Sequence, residues 1–441
     1  MNIELYGYAS VAHHRRVKAG SKFVFCVLLL ACSRRQSRTM TSAPVARCIN
    51  EALPEEVFAV IFEEHAKMEW GAPVIDGRVC RQWRQTILHS PRAWAYLQIR
   101  YSCISAHSTL QQWLDRSVSV PLHILLKDWI RGAEEALNEH CKRIKSISLY
   151  GDYLAYLGHQ SFPILQSLTI KAKYTDRRVF RWNACRVMPE LHSLRATNIS
   201  VDALPSNVFP ALRVLALYRV KYCNFIIQNS YHSLTSLMLA HISLRYTSEP
   251  LEFPSLRFLS LLEVKDIKHR MNVPILTTYH ESGGTEGDSF SMSLPSLIEY
   301  GVRLLNEEPF LNVTRLHQCY PNISRFSVRA RPSAVKPFLH SLCGQPTGLP
   351  MLRILVVGEV YGLTTYSEEE KASMMDDVFV RNMASSVRVE LCFDGMNRIP
   401  LYFGNVRLHI NEDRSKLTSS LSIHILPVED FSFILGLWLP C

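Results

Sequence analysis

Hydrophobic positions along this chain follow two different periods. From residue 141 to residue 357 a phrase of the form Pro-x-Leu-x-x-Leu-x-Leu recurs. It reads FPILQSLTI at 162–170, MPELHSLRA at 188–196, FPALRVLAL at 209–217, HSLTSLML at 232–239 and FPSLRFLSL at 253–261. It returns as LPSLIEYGV at 294–302, YPNISRFSV at 320–328 and LPMLRILVV at 349–357, with weaker copies RIKSISL at 143–149 and VPILTTYH at 273–280. The first apolar position of each copy is Ile144, Leu165, Leu191, Leu212, Leu234, Leu256, Leu276, Leu297, Ile323 and Leu352. Successive spacings are 21, 26, 21, 22, 22, 20, 21, 26 and 29 residues, the range of a structural repeat array. Each copy alternates as a strand does, and one such strand cannot bury its apolar face alone. Stacking parallel copies closes the hydrogen-bond ladder and builds a continuous core. The proline that often precedes a copy fits the start of a strand.

Upstream, the period is helical. Val57 with Ile61 and Phe58 with Phe62 are i,i+4 apolar pairs, following Pro54, Glu55 and Glu56, which suit a first helical turn. Val79, Cys80, Trp83 and Ile87 repeat that spacing, with Arg78, Arg81 and Arg84 on the wetter side. Ser90-Pro91 signals a third short helix, with Trp94 and Leu97 facing inward. The stretch between the first two, EEHAKMEWGAPVIDG at 63–77, reads as an irregular link. Three short helices bury too little of themselves to cover so many apolar and aromatic groups. Part of that surface is expected to meet another chain or the following domain; a plain helical cap on the array is the alternative.

Residues 101–140 are a linker or N-terminal cap, and 281–292, ESGGTEGDSFSM, an acidic Gly-rich loop. Beyond 358, Ser367 to Glu370 form a capping box ahead of the helical stripe Met375, Val378, Phe379, Met383. The strands VRVELCF, VRLHI and SLSIHIL follow, and 358–441 reads as a degenerate C-terminal cap.

Charge narrows the function. The net charge is +10, yet residues 1–40 carry seven basic groups against Glu4, so +6 of it lies there and +4 in the rest. A broad nucleic-acid surface on the folded part is not expected. Residues 1–46 are read as a disordered or spurious basic extension. Their apolar run FVFCVLLLAC at 23–32 is too short to span a bilayer, and its flanks are atypical of a signal peptide. Twelve scattered cysteines include no C-x-x-C, which suggests neither a zinc ribbon nor a disulfide framework. There is no phosphate loop, G-x-S-x-G or H-E-x-x-H, and no catalytic residue, metal or cofactor is expected.

The helical segment resembles an F-box. Leu53-Pro54 opens it, Ile61-Phe62 closes the first helix, Val79-Cys80-Arg81-x-Trp83 follows, and Ser90-Pro91-x-x-Trp94 ends it. The link at 63–77 and the phrase LQQWLDRSVSVPLHILL at 110–126 resemble F-box-like proteins of mushroom-forming fungi. The repeats fall in the leucine-rich-repeat range. The expected fold is therefore α/β: an F-box-like helical module at 47–100, then a leucine-rich-repeat solenoid of parallel strands at 141–357. The resemblance implies a non-enzymatic, cytoplasmic or nuclear substrate adaptor of an SCF-type ubiquitin ligase. The module would dock to the small SCF adaptor and through it to a cullin. Leu53, Pro54, Val57, Ile61, Phe62, Val79, Cys80 and Trp83 are the adaptor-facing or interface-supporting residues it implies. A ligase-independent repeat protein, or a secreted one using the sequons at Asn198, Asn312 and Asn322, are the rival readings.

The substrate is an unknown protein. The interval from Leu165 to Leu191 is longer than most, and residues 171–186 hold six Lys and Arg against Asp176, a local charge of +5. Arg177, Arg178, Arg181 and Trp182 in that stretch are candidate substrate contacts for acidic or phosphorylated segments.

Overall fold

The computed structural model describes residues 53–99, 105–128, 130–150, 161–172, 179–180, 188–201, 209–221, 223–242, 251–264, 271–282, 293–303, 313–330, 335, 337–338, 349–358, 388–392, 399–403 and 406–410. The fold is α/β with an extensive parallel-strand sheet, compatible with a solenoid-like repeat. The chain divides into two units, 1–278 and 279–441.

In the first unit, helices α1 (Glu55–Met68), α2 (Ala72–Asp76) and α3 (Arg81–Leu88) and a 3-10 turn (Pro91–Ala95) precede strand β1 (Tyr96–Ile99). The link expected to be irregular is thus helical. α1 runs on because His65 and Ala66 continue its buried face, and Pro73 sits in the first turn of α2. Then come α4 (Ala106–Arg116), β2 (Leu122–Leu126), α5 (Ala133–Asn138) and β3 (Ile144–Tyr150). Gly132, at φ 78, supplies the left-handed turn that opens α5. Strand β4 is Ser167–Lys171, β5 Val179–Phe180, β6 Ser193–Thr197, β7 Ser200–Val201 and β8 Val214–Tyr218. Helix α6 (Asn224–Ser230), β9 (Ser236–Ala240), β10 (Leu251–Glu252), β11 (Phe258–Leu262) and β12 (Met271–Asn272) complete the unit. Its main sheet runs β1-β2-β3-β4-β6-β8-β9-β11, parallel at each step. The sheet therefore already includes β1 and β2, ahead of the start expected at 141.

Every repeat is built alike. Each of the ten anchor residues is buried, and the residue two places on starts the in-register row: Ser146, Ser167, Ser193, Val214, Ser236 and Phe258 pair in turn. Positions three and five after the anchor point inward: Leu168 and Ile170, Leu194 and Ala196, Leu215 and Leu217, Leu237 and Leu239, Leu259 and Leu261 are all buried. The prolines lie in the turn before the strand and not at its first residue. Leu165 N–H donates to Phe162 O (3.3 Å), Leu191 to Met188 (3.2 Å) and Leu212 to Phe209 (3.3 Å), each spanning a proline at the second turn position. That position needs the φ that proline already has. At the other end of the strand, Asn198, Arg219, His241 and Glu263 all have φ between 49 and 56. Asn198, Arg219 and His241 each donate their N–H to the last strand residue of the next repeat: Tyr218, Ala240 and Leu262, at 2.9, 2.9 and 2.8 Å. The ladder hydrogen bond holds each of them in a conformation their side chains do not favour.

The second unit contains β13 (Thr278–Ser282, from its second residue), β14 (Glu299–Arg303), α7 (Val313–Cys319), β15 (Arg325–Arg329), β16 (Ile354–Gly358), β17 (Arg388–Cys392), β18 (Ile399–Phe403) and β19 (Val406–Ile410). Its strand order is β13-β14-β15-β16-β17-β19-β18. The steps from β14 to β19 are parallel, and β18 returns antiparallel. The expected strands VRVELCF and VRLHI are β17 and β19. The helical stripe at 375–383 and SLSIHIL lie outside the described residues.

Here the leucine column becomes aromatic. Tyr279, Tyr300 and Phe326 take the position three after the anchor, with Tyr279–Tyr300 and Tyr300–Phe326 centroids 5.7 and 5.5 Å apart. Glu281 takes the next inward position, which Val302, Val328 and Val357 hold in the following repeats. The expected loop at 281–292 therefore begins later, because Glu281 and Ser282 are buried strand residues. Glu281 accepts hydrogen bonds from the hydroxyls of Tyr279 (2.9 Å) and Tyr300. Burial, reinforced by the Glu281 charge, holds both phenols well above their ordinary range.

Candidate functional site

The helical module sorts its apolar residues into two groups. Phe58, Phe62, His65 and Ala66 form the buried face of α1. Phe58 and Phe62 stack at 6.0 Å, and the Trp83 ring lies 5.7 and 5.1 Å from them, so one aromatic cluster joins α1 to α3. His65 Nδ1 lies 2.9 Å from the Asp76 carboxylate, both buried, and this pair ties α1 to α2. The hydrogen bond to Asp76 raises the imidazole above its ordinary value, against the opposing effect of burial. Arg84 Nε donates to Gly77 O at 2.9 Å, which fixes the start of α3. The Trp94 indole donates to Ile87 O at 2.8 Å. Trp94 also packs edge-on against Trp113 of α4 at 5.0 Å, and the Arg116 guanidinium lies 4.4 Å over its ring. These contacts fasten the module to α4.

The second group faces out. Val57 is 40% exposed, Val60 58% and Val79 60%, with Met68, Val74, Ile75 and Leu88 also exposed. Of the twelve large apolar residues exposed among the described residues, these seven lie in the module. Pro54, Val57, Ile61 and Met68 recur at three-, four- and seven-residue spacing, so they share one face of α1. Pro54 is exposed and caps α1 from just outside it, where its carbonyl accepts from Val57 N (3.1 Å) and Phe58 N (3.3 Å). Leu53, Ile61, Cys80 and Trp83 are half-buried.

The residues singled out from sequence thus play different parts. Phe62, at 1% exposure, lies in the module's core and not on its surface. Trp83 belongs to the same aromatic cluster. Cys80 caps α3, its Sγ accepting from Trp83 N at 3.4 Å, so α3 starts at Arg81 and Val79 stands in the turn before it. Pro54, Val57 and Val79 are on the surface. Val60 was not singled out, although its i,i+3 spacing from Val57 was available; the exposed Val74 and Ile75 lay hidden in the supposed link. Arg177, Arg178, Arg181 and Trp182 lie outside the described residues.

Chemically this is an exposed apolar surface. Among the described residues, no group of three or more His, Cys, Asp or Glu could hold a metal ion. Among them too, no helix is long and apolar enough to cross a membrane. No protein-family model matches the chain, and no curated protein is significantly similar to it.

Proposed function

We propose that the chain is the substrate-recognition subunit of an SCF-type ubiquitin ligase. In this reading an F-box-like module docks to the small SCF adaptor, and leucine-rich repeats bind a protein substrate. The chain supplies no nucleophile; it raises the local concentration of substrate beside a separately recruited ubiquitin-charged enzyme. That role places it in the cytosol or nucleus.

The observation that carries the reading is the division of labour on α1. Phe58 and Phe62 satisfy the module's own core, while Pro54, Val57 and Val60 remain exposed beside half-buried Leu53 and Ile61. An apolar helical face left open by the described residues suits a helical partner. It accompanies all four F-box motif elements, Leu53-Pro54, Ile61-Phe62, Val79-Cys80-Arg81-x-Trp83 and Ser90-Pro91-x-x-Trp94, in order.

The test is co-purification of the full chain with the small SCF adaptor. Val57→Asp with Val60→Asp should abolish it, because a carboxylate desolvated in an apolar contact costs about 2 kcal/mol or more per site. Both positions are exposed, so the fold should persist and the far-UV circular dichroism stay unchanged. Equal adaptor recovery with wild type and this variant would remove the docking assignment and favour a ligase-independent binding protein.

A further inference from the structure

The outward face of the first unit changes character along its sheet. Over β3, β4 and β6 the outward residues two and four after the anchor are mostly hydroxyl-bearing: Ser146, Ser148, Ser167, Thr169 and Ser193. Over β8, β9 and β11 the outward positions turn apolar, with Val214, Ala216, Met238, Phe258 and Leu262. Val214 and Phe258 flank Ser236 in one in-register row, and Ala216 adjoins Met238 in the next. The apolar side chains therefore lie together across three strands, about 10 Å of sheet. All five are partly exposed, while Leu215, Leu237 and Leu259 between them are buried on the opposite face. A strand face that water reaches is ordinarily polar, as it is over β3 and β4, so this apolar floor is a local departure.

A basic rim runs along one side of that floor. Arg213 and Arg257 stand immediately before Val214 and Phe258, and both are exposed. The ladder fixes their places: Arg213 O accepts from Thr235 N (2.8 Å), and Arg257 N donates to Thr235 O (2.9 Å). The two arginines thus sit two strands apart, about 10 Å, at the same level of the sheet. Among the described residues, neither guanidinium has an ion-pair or hydrogen-bond partner. The main-sheet strands from β3 to β11, each taken with the residue before its in-register row, carry Lys145, Lys171, Arg195, Arg213 and Arg257 and no Asp or Glu. A positive rim beside a floor that sheds water is complementary to carboxylates carried on an apolar segment, because their attraction strengthens where water is excluded.

We propose that the outward face of β8, β9 and β11 binds a protein segment that mixes acidic and apolar residues. Its apolar side chains lie over Met238 and its neighbours, and its carboxylates face Arg213 and Arg257. The inference rests on the adaptor reading and deepens it by giving the substrate a chemical class. A nucleic acid would match the charge, but the aliphatic Val214, Met238 and Leu262 offer no stacking face for a base.

The experiment is fluorescence anisotropy with the full chain and four labelled decapeptides, alternating Leu-Glu, Leu-Gln, Leu-Lys and Ser-Glu. The Leu-Glu peptide should bind about tenfold or more tightly than each of the others, and its binding should weaken across a salt series. Arg213→Glu with Arg257→Glu should weaken it by about tenfold or more, and both positions are exposed, so the fold should persist. Met238→Asp should weaken it to a similar extent by taking apolar contact and adding a like charge. If Met238→Asp disturbs the near-UV circular dichroism, Met238→Ala replaces it with the same expected direction. The proposal is overturned if any other peptide binds as tightly as Leu-Glu, or if a folded rim or floor variant binds as wild type does. Tighter binding of a labelled ten-nucleotide oligothymidylate than of the Leu-Glu peptide would overturn it in favour of a nucleic-acid surface. Adaptor co-purification, scored on the same preparations, is independent of these residues, so failure here is distinguishable from failure of the docking assignment.

Discussion

Glu281 shows what a single residue can hide. It occupies an inward position that aliphatic residues hold in nearly every other described repeat, and it is 4% exposed. Its carboxylate is tolerated because the Tyr279 and Tyr300 hydroxyls donate to it. Glu281→Leu would restore the repeat's usual residue yet strand those donors, so it should lower stability by about 2–4 kcal/mol. The loss should shrink when Glu281→Leu is combined with Tyr279→Phe and Tyr300→Phe, since the donors are then gone. Urea denaturation of the single and combined variants measures both; stabilisation by Glu281→Leu in the otherwise wild-type chain would contradict the network. The sequence held a signal for this residue. Counting five from the anchor Leu276 lands on Glu281, but the Gly-rich acidic run after it reads as loop and masks the end of the strand.

At the scale of elements, the strands were legible and the helices only partly so. Every anchor leucine or isoleucine proposed from spacing is buried, because a period-two pattern leaves no freedom about which face meets the core. β9 gives a direct check. Leu237→Ala should cost about 2–5 kcal/mol through the cavity it leaves, while Met238→Ala, its outward neighbour, should change stability by about 1 kcal/mol or less. Similar losses for the two in thermal or chemical unfolding would contradict the assigned face. What the pattern could not give was the second half of α1 and all of α2. Their stability comes from the His65–Asp76 pair eleven residues apart and from burial of Ala66, Ala72 and Pro73, none of which makes an apolar stripe. Nor could it separate Phe62 from Val57. Both lie on an apolar helix, and Phe62 is covered where the Trp83 ring packs 5.1 Å from it.

For the molecule as a whole, two histidines set opposite responses to pH in its two units. In the first, the bond to Asp76 raises His65 above its ordinary 6.5. That contribution is fully present below about pH 6.5 and is lost as pH rises through the raised value. In the second, burial and two arginines depress His280 from 6.5 to about 4. Its unfolded form takes up a proton first, so its contribution is intact above pH 6.5 and is lost as pH falls from there toward 4. The corresponding loss is about 3 kcal/mol at most, given 1.36 kcal/mol for each unit of separation. Acidification from pH 7.5 to 5 should therefore weaken β13 to β15 relative to α1 and α2. Hydrogen exchange followed by mass spectrometry, corrected for intrinsic rates at each pH, resolves the two regions in one experiment. Protection should fall in peptides covering 279–303 while it holds or rises in those covering 55–76. His280→Gln should flatten the first response and leave the second alone, because glutamine has no proton to take up in this range. Parallel loss of protection in both regions, unaltered by His280→Gln, would show that other groups govern the acid response.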